Sequence, residues 1–190
     1  FEQPYGLIEN LRDFILAEKP SHRIDIELGR YLAASCGEYV TKIVDVKSAD
    51  ERNYCLVDGG IHQVNYYGSN MAMRTPVIEY ISVENKWKSK MTNNTETEAV
   101  NEMKQMQEYM ICGSLCTFAD ILARGVSLQS PEIGDCLVFE NIGAYSVTEG
   151  SYLFLSHALP EIYIKQQNGQ IRKVRSAQES WLINSVDDQV

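Results

Sequence analysis

The chain has 190 residues, 44% of them hydrophobic, with a formal net charge of -9 and a pI near 4.8. That acidity argues against nucleic acid or anionic membrane as partners, because both reward clustered lysine and arginine. The length allows one sizeable core, or one core and a fragment of another, and no apolar run approaches the roughly 20 residues that span a bilayer.

The sequence begins at Phe1 with neither an initiator methionine nor a signal-like segment, which leads us to expect a piece of a longer polypeptide. Five cysteines (Cys36, Cys55, Cys112, Cys116 and Cys136) make an odd number in a chain too large to need disulfide staples. Cys112 and Cys116 are not spaced as a usual zinc pair. Reduced thiols and a cytoplasmic location are the expectation.

In chain order, Leu7, Ile8, Leu11, Phe14 and Ile15 recur at helical spacing, and Pro20 stops that helix. Ile24, Ile26 and Leu28 then alternate with Arg23, Asp25 and Glu27, which predicts a strand. One helix and one strand cannot bury their own apolar faces. Residues 1–28 therefore read as the last helix and strand of an α/β barrel, and residues 29–190 as a second domain.

From Glu38 the texture is β. Short runs rich in branched and aromatic residues predict strands at Tyr39 to Val46, Tyr54 to Val57, Val77 to Ile81, Gly134 to Glu140, and Glu161 to Lys165. Asn168-Gly169 predicts a hairpin into Ile171 to Val174. Helices are expected near Arg30 to Cys36, Gly150 to His157 and Ser176 to Ile183. The polar tract Ser82 to Glu108, with Lys86, Lys88 and Lys90, reads as an exposed excursion carrying a short helix at Glu98 to Gln107. The fold class is thus mainly β, an antiparallel barrel or sandwich.

Four motifs stand in order: Glu27-Leu28-Gly29-Arg30-Tyr31, Asp58-Gly59-Gly60, Gly113-Ser114-Leu115-Cys116-Thr117-Phe118-Ala119-Asp120, and Gly134-Asp135 leading into Gly143-Ala144-Tyr145. This arrangement resembles the C-terminal part of the fold-type III, pyridoxal-phosphate-dependent amino acid decarboxylases, the diaminopimelate and ornithine decarboxylase family. Its patterns are Glu-Pro-Gly-Arg-Tyr, Asp-(Gly/Ala)-Gly, Gly-Pro-x-Cys-(Asp/Glu)-x-x-Asp and Gly-Asp followed by Gly-Ala-Tyr. The resemblance covers roughly residues 5–175 and implies a β domain like the C-terminal domain of alanine racemase.

The resemblance further implies that Glu27 pairs with the pyridinium nitrogen of pyridoxal 5'-phosphate, while Gly29, Arg30 and Tyr145 lie at its phosphate. The chemistry agrees, since a carboxylate keeps that nitrogen protonated and a guanidinium suits a phosphate bidentately. Cys116 falls where the family carries a cysteine that crosses a homodimer interface and delivers a proton after CO2 departs, work that suits a thiol of tunable pKa. Asp120 is expected to brace the loop or interface. Arg74, of Met73-Arg74-Thr75-Pro76, stands roughly where relatives bind a substrate carboxylate. His62 reads as a satisfied polar residue in a turn. No metal site is expected.

Thr117 follows Cys116 where polyamine-forming and diaminopimelate-using relatives have Asp or Glu. A hydroxyl cannot neutralise a distal ammonium, so a small free diamino acid suits this position less well than a substrate tethered to an acyl carrier protein. A racemase of the same architecture is disfavoured by acidic Glu27, because racemases of this type favour a basic group at the ring nitrogen. A non-catalytic interaction homologue is disfavoured by the joint presence of Glu27, Arg30, Cys116 and Tyr145. The resemblance assigns the Schiff-base lysine to the barrel, so this chain alone is expected to be inactive.

Overall fold

In a computed structural model of the chain, residues 5–65, 77–83 and 106–186 are described. Helix α1 (Tyr5–Glu18) ends where Lys19 turns to a φ of 41° ahead of Pro20. Of its apolar stripe, Leu11 and Ile15 are half-buried while Ile8 and Phe14 are exposed. The strand expected at residues 24–28 does not form, and Ile24 and Ile26 are exposed. Alternation selects a face, but a strand also needs a neighbour to take its backbone hydrogen bonds, and no described segment pairs with this one.

Helix α2 (Gly29–Ala33) runs into a 3-10 turn at Ala34–Cys36 and leads to the central strand β1 (Tyr39–Ala49). With β2 (Arg52–Val57), β3 (Ile78–Ile81), β4 (Met106–Cys112), β5 (Ile121–Gln129) and β6 (Cys136–Phe139), β1 forms a six-stranded sheet in the order β3-β6-β1-β2-β4-β5. All pairings are antiparallel except β2 with β4, which is parallel.

The sheet curls because β1 serves two partners. Tyr39 to Lys42 pair with β6, Ile43 to Ala49 pair with β2, and an irregularity between Ile43 and Asp45 marks the corner. Side chains from every strand therefore meet in one core, including Ile43, Ile111, Leu137 and Phe139, with Ile78 and Tyr80 of edge strand β3 packed against it. The barrel-like β domain expected from the sequence is what forms. A separate hairpin, β7 (Ile162–Lys165) and β8 (Ile171–Arg175), turns at Asn168-Gly169, where Gly169 has a φ of 82°.

Strands β4 and β5 lie where the sequence predicts none. Met106 and Gln107, expected to end a helix, begin β4, whereas residues 98–105 and Lys86 to Lys90 lie outside the described residues. In β5 the run Ile121 to Leu128 is broken by Arg124-Gly125, with Gly125 at a φ of 65°, and the ladder to β4 is irregular between Tyr109 and Ile111. The helices expected at 150–157 and 176–183 shrink to single 3-10 turns at Phe154–Ser156 and Ser180–Ile183.

Candidate functional site

Two sequence-distant motifs meet at the start of α2. The backbone of this segment docks on the turn after β6, with Ile142 N–H donating to Gly37 O (2.9 Å) and Gly143 N–H to Ala34 O (2.9 Å). Tyr145 follows in the left-handed region at a φ of 62°, a conformation costly for a tyrosine and held here by Glu149 N–H and the Thr148 hydroxyl, which both donate to its carbonyl. This aims the ring back at α2. A Cβ on Gly29 would lie 2.1 Å from the Tyr145 hydroxyl, so only glycine lets the phenol approach.

Arg30 completes this cluster. Its guanidinium donates to Ala144 O (3.1 Å), lies 5.1 Å from the centre of the Tyr145 ring, and stands 3.6 Å from a Glu149 carboxylate oxygen. The Arg30 side chain is only 19% exposed, so its fork is held by packing as well as charge. Glu27, two residues before Gly29, is exposed. The guanidinium and the phenol hydroxyl are donors suited to a dianionic phosphate, which is the chemistry required of a cofactor-phosphate site.

The second cluster is the loop between β4 and β5. Ser114 N–H donates to Gly59 O (2.8 Å), which fastens the loop to the turn after β2. That turn is itself pinned to β1: the Thr41 hydroxyl (2.7 Å) and Lys42 N–H (2.9 Å) donate to Asp58, and Gly60 N–H donates to the Tyr39 hydroxyl (3.3 Å). Asp120 is buried at the loop base and Cys116 is exposed. Thr117 is half-buried and accepts Ala119 N–H at its hydroxyl (3.3 Å), and Phe118 stands fully in solvent.

Of the residues singled out from the sequence, Gly29, Arg30 and Tyr145 are therefore together, Cys116 and Thr117 share a second loop, and Arg74 lies outside the described residues. The five cysteines are unpaired. Burial pushes the Cys55 thiol up to about 12, with the Cys112 thiol adding to the effect, while Cys116 stands at the surface.

Three residues have surroundings that the motifs do not state, and His62 departs from the satisfied turn residue expected of it. Asp135 accepts Val83 N–H and Glu132 N–H (2.9 Å each) and the Tyr80 hydroxyl, joining β3 to the start of β6. Glu149 is the acidic neighbour of Arg30. His62 is 2% exposed, its ring centre is 4.7 Å from that of His157, and its Nδ1 has no hydrogen-bond partner among the described residues. No sequence signal marks the His62–His157 contact, which depends on Ser151 N–H donating to Ile61 O (2.8 Å) across 90 residues.

Residues 30–143 match the pyridoxal-dependent decarboxylase C-terminal sheet domain, and the chain belongs to that family. The chain is 30% identical over 159 residues to the L-glutamyl-[BtrI acyl-carrier protein] decarboxylase of Niallia circulans, covering 82% of this chain and 33% of that protein. It is 31% identical over 163 residues to a Staphylococcus aureus protein, 2-[(L-alanin-3-ylcarbamoyl)methyl]-2-hydroxybutanedioate decarboxylase, covering 85% of this chain and 38% of the relative. The chain thus spans between about a third and two fifths of the length of these relatives. Among solved structures, a diaminopimelate decarboxylase from M. jannaschi shares the fold at a TM-score of 0.70 and 17% identity, over 96% of this chain and 38% of the other.

Proposed function

We propose that this chain is the C-terminal part of a homodimeric, pyridoxal-phosphate-dependent amino acid decarboxylase, with residues 1–28 the end of its N-terminal α/β barrel. The observation that carries this reading is the meeting of Gly29, Arg30 and Tyr145, from motifs over 100 residues apart, as one cluster within a family domain. Pyridoxal phosphate, when bound, supplies the sink for the electrons of the breaking bond between Cα and the α-carboxylate.

The chain's own residues then have separate tasks. Arg30 and the Tyr145 hydroxyl bind the phosphate, and Gly29 leaves room for that hydroxyl. Glu27 holds a proton at the ring nitrogen, which keeps the cofactor electron-poor. Cys116, exposed at the tip of its loop, reaches the partner subunit's site and delivers a proton to the carbon that has lost CO2. This chain by itself is inactive, because the lysine that anchors the cofactor belongs to the barrel.

Thr117 favours a specific substrate class. A neutral hydroxyl beside Cys116 forgoes the charge-assisted bond that an Asp or Glu would offer a distal ammonium, a loss of about 1.5 to 3 kcal/mol or roughly ten- to a hundredfold. A substrate whose far end is masked, such as an aminoacyl group on a carrier protein, fits better, and the relative from Niallia circulans is named for a substrate of that kind. In the diaminopimelate-type alternative, Arg74 supplies the recognition instead. The test is CO2 release by the full-length enzyme from diaminopimelate, ornithine and lysine beside a carrier-bound aminoacyl thioester. Efficient turnover of a free diamino acid, with no gain from Thr117→Glu, overturns the carrier reading.

A further inference from the structure

We propose that Asp120 is the positioning residue of the cysteine loop, its carboxylate tying the loop to the turn after β2 and so fixing where the Cys116 thiol stands. The proposal deepens the reading in which Cys116 moves a proton and rests on it. One oxygen of Asp120 accepts Leu115 N–H (2.7 Å), the residue next to Cys116, and the other accepts Ile61 N–H (2.8 Å) from the turn. Two loops that share no strand are thereby joined through one side chain.

The backbone of Asp120 closes the loop on itself. Gly113 N–H donates to Asp120 O (2.9 Å) and Asp120 N–H donates to Thr117 O (3.2 Å), so the six residues between Gly113 and Asp120 hang from a fixed base. The carboxylate is 2% exposed and walled by glycine on both sides. A Cβ on Gly113 would lie 2.2 Å from one of its oxygens, and a Cβ on Gly60 would lie 2.5 Å from the same one. Both glycines are thus room for this carboxylate, whose burial keeps it from substrate.

Only an acceptor at both oxygens suits two converging N–H donors. Asparagine keeps the shape but turns an NH2 group toward one of them, so Asp120→Asn breaks one tether while nearly preserving volume. Gly113→Ala breaks the same arrangement from the opposite side.

In the full-length enzyme, Asp120→Asn and Gly113→Ala are each expected to change the rate of Cys116 alkylation by iodoacetamide by about fivefold or more, and to lower kcat by roughly ten- to a hundredfold with little change in KM, as a misplaced proton donor would. The double variant Asp120→Ala/Gly113→Ala is expected to be no worse than Asp120→Ala, because the alanine methyl then meets no carboxylate. A core variant, Ile43→Val, with a similar loss of melting temperature should leave both readouts near wild type. An Asp120→Asn enzyme that folds and keeps the wild-type alkylation rate overturns the proposal. If the wild-type enzyme releases no CO2, the decarboxylase reading fails while alkylation still decides the role of Asp120. Should both variants fail to fold, amide exchange in the wild type decides it: joint slow exchange of Leu115 and Ile61 supports the tether, and fast exchange at either overturns it.

Discussion

The hydroxyl of Tyr145 rests against the Cα of Gly29, where a single added methyl carbon would come within 2.1 Å of the oxygen. The contact joins the α2 motif to the turn after β6 and leaves the Arg30 guanidinium beside the Tyr145 ring. Gly29→Ala must therefore displace the phenol. In the full-length enzyme Gly29→Ala is expected to weaken pyridoxal phosphate binding by about tenfold or more, and Arg30→Ala by roughly ten- to a hundredfold, the value of hydrogen bonds to a charged group. Adding Tyr145→Phe to Gly29→Ala should not weaken binding further. Equilibrium dialysis checks this, and undiminished binding by Arg30→Ala would remove Arg30 from the phosphate.

Asp135 is expected to be a stability residue without an effect on cofactor affinity. It accepts two backbone N–H groups and the Tyr80 hydroxyl while 3% exposed. Leaving buried donors unpaired costs about 1 to 3 kcal/mol, so Asp135→Asn should lower the unfolding free energy measured by urea titration by that amount and Tyr80→Phe by about 1 kcal/mol. A change below about 0.5 kcal/mol for Asp135→Asn would show that the hub is not rigid.

Acid should destabilise the domain through His62. Burial, and then the neighbouring His157, lower its pKa from the usual value, and Asp120 opposes them only in part. The unfolded chain therefore binds the proton more readily than the folded one. The contribution of neutral His62 is complete above about pH 6.5 and is lost as pH falls from there toward the depressed folded value, by up to about 1.4 kcal/mol per pH unit. Melting temperatures from pH 7.5 to 5.5 should fall more steeply for the wild type than for His62→Phe. Parallel slopes would rule out His62 as the group responsible.

Thiol mapping separates the cysteines by environment. Cys36 and Cys116 are exposed, whereas Cys55 is fully buried with its thiol pushed up to about 12. Iodoacetamide at pH 8 should modify the two exposed thiols well before Cys55, whose labelling should await unfolding. Early modification of Cys55 would mean that the β2 side of the core opens readily.

The parts legible in the sequence were those whose residue type alone states a constraint. The run of branched and aromatic residues from Tyr39 to Val46 announces a strand, Asn168-Gly169 a tight turn, and the Glu27 to Arg30 and Gly143 to Tyr145 motifs their family. Strand β5 was lost because Arg124-Gly125 reads as a break, although Gly125 only lets the strand bulge. Strand β4 was obscured at its start because Met106 and Gln107 continue a polar tract with no alternation, and its parallel pairing comes from distant β2. The bond from Ile61 N–H to Asp120 and the His62–His157 contact were invisible for the same reason: each depends on segments that only the finished sheet brings together.

Subunit mixing separates action of Cys116 across a dimer interface, as proposed, from action within its own subunit. Full-length Cys116→Ala enzyme is mixed with a variant lacking the barrel lysine, each inactive or nearly so alone. If Cys116 acts in trans, random exchange yields about half hybrid dimers with one intact site each, and CO2 release should return to roughly a quarter of wild type. No recovery after confirmed exchange would rule out action in trans, placing Cys116 in its own subunit's site or outside the chemistry.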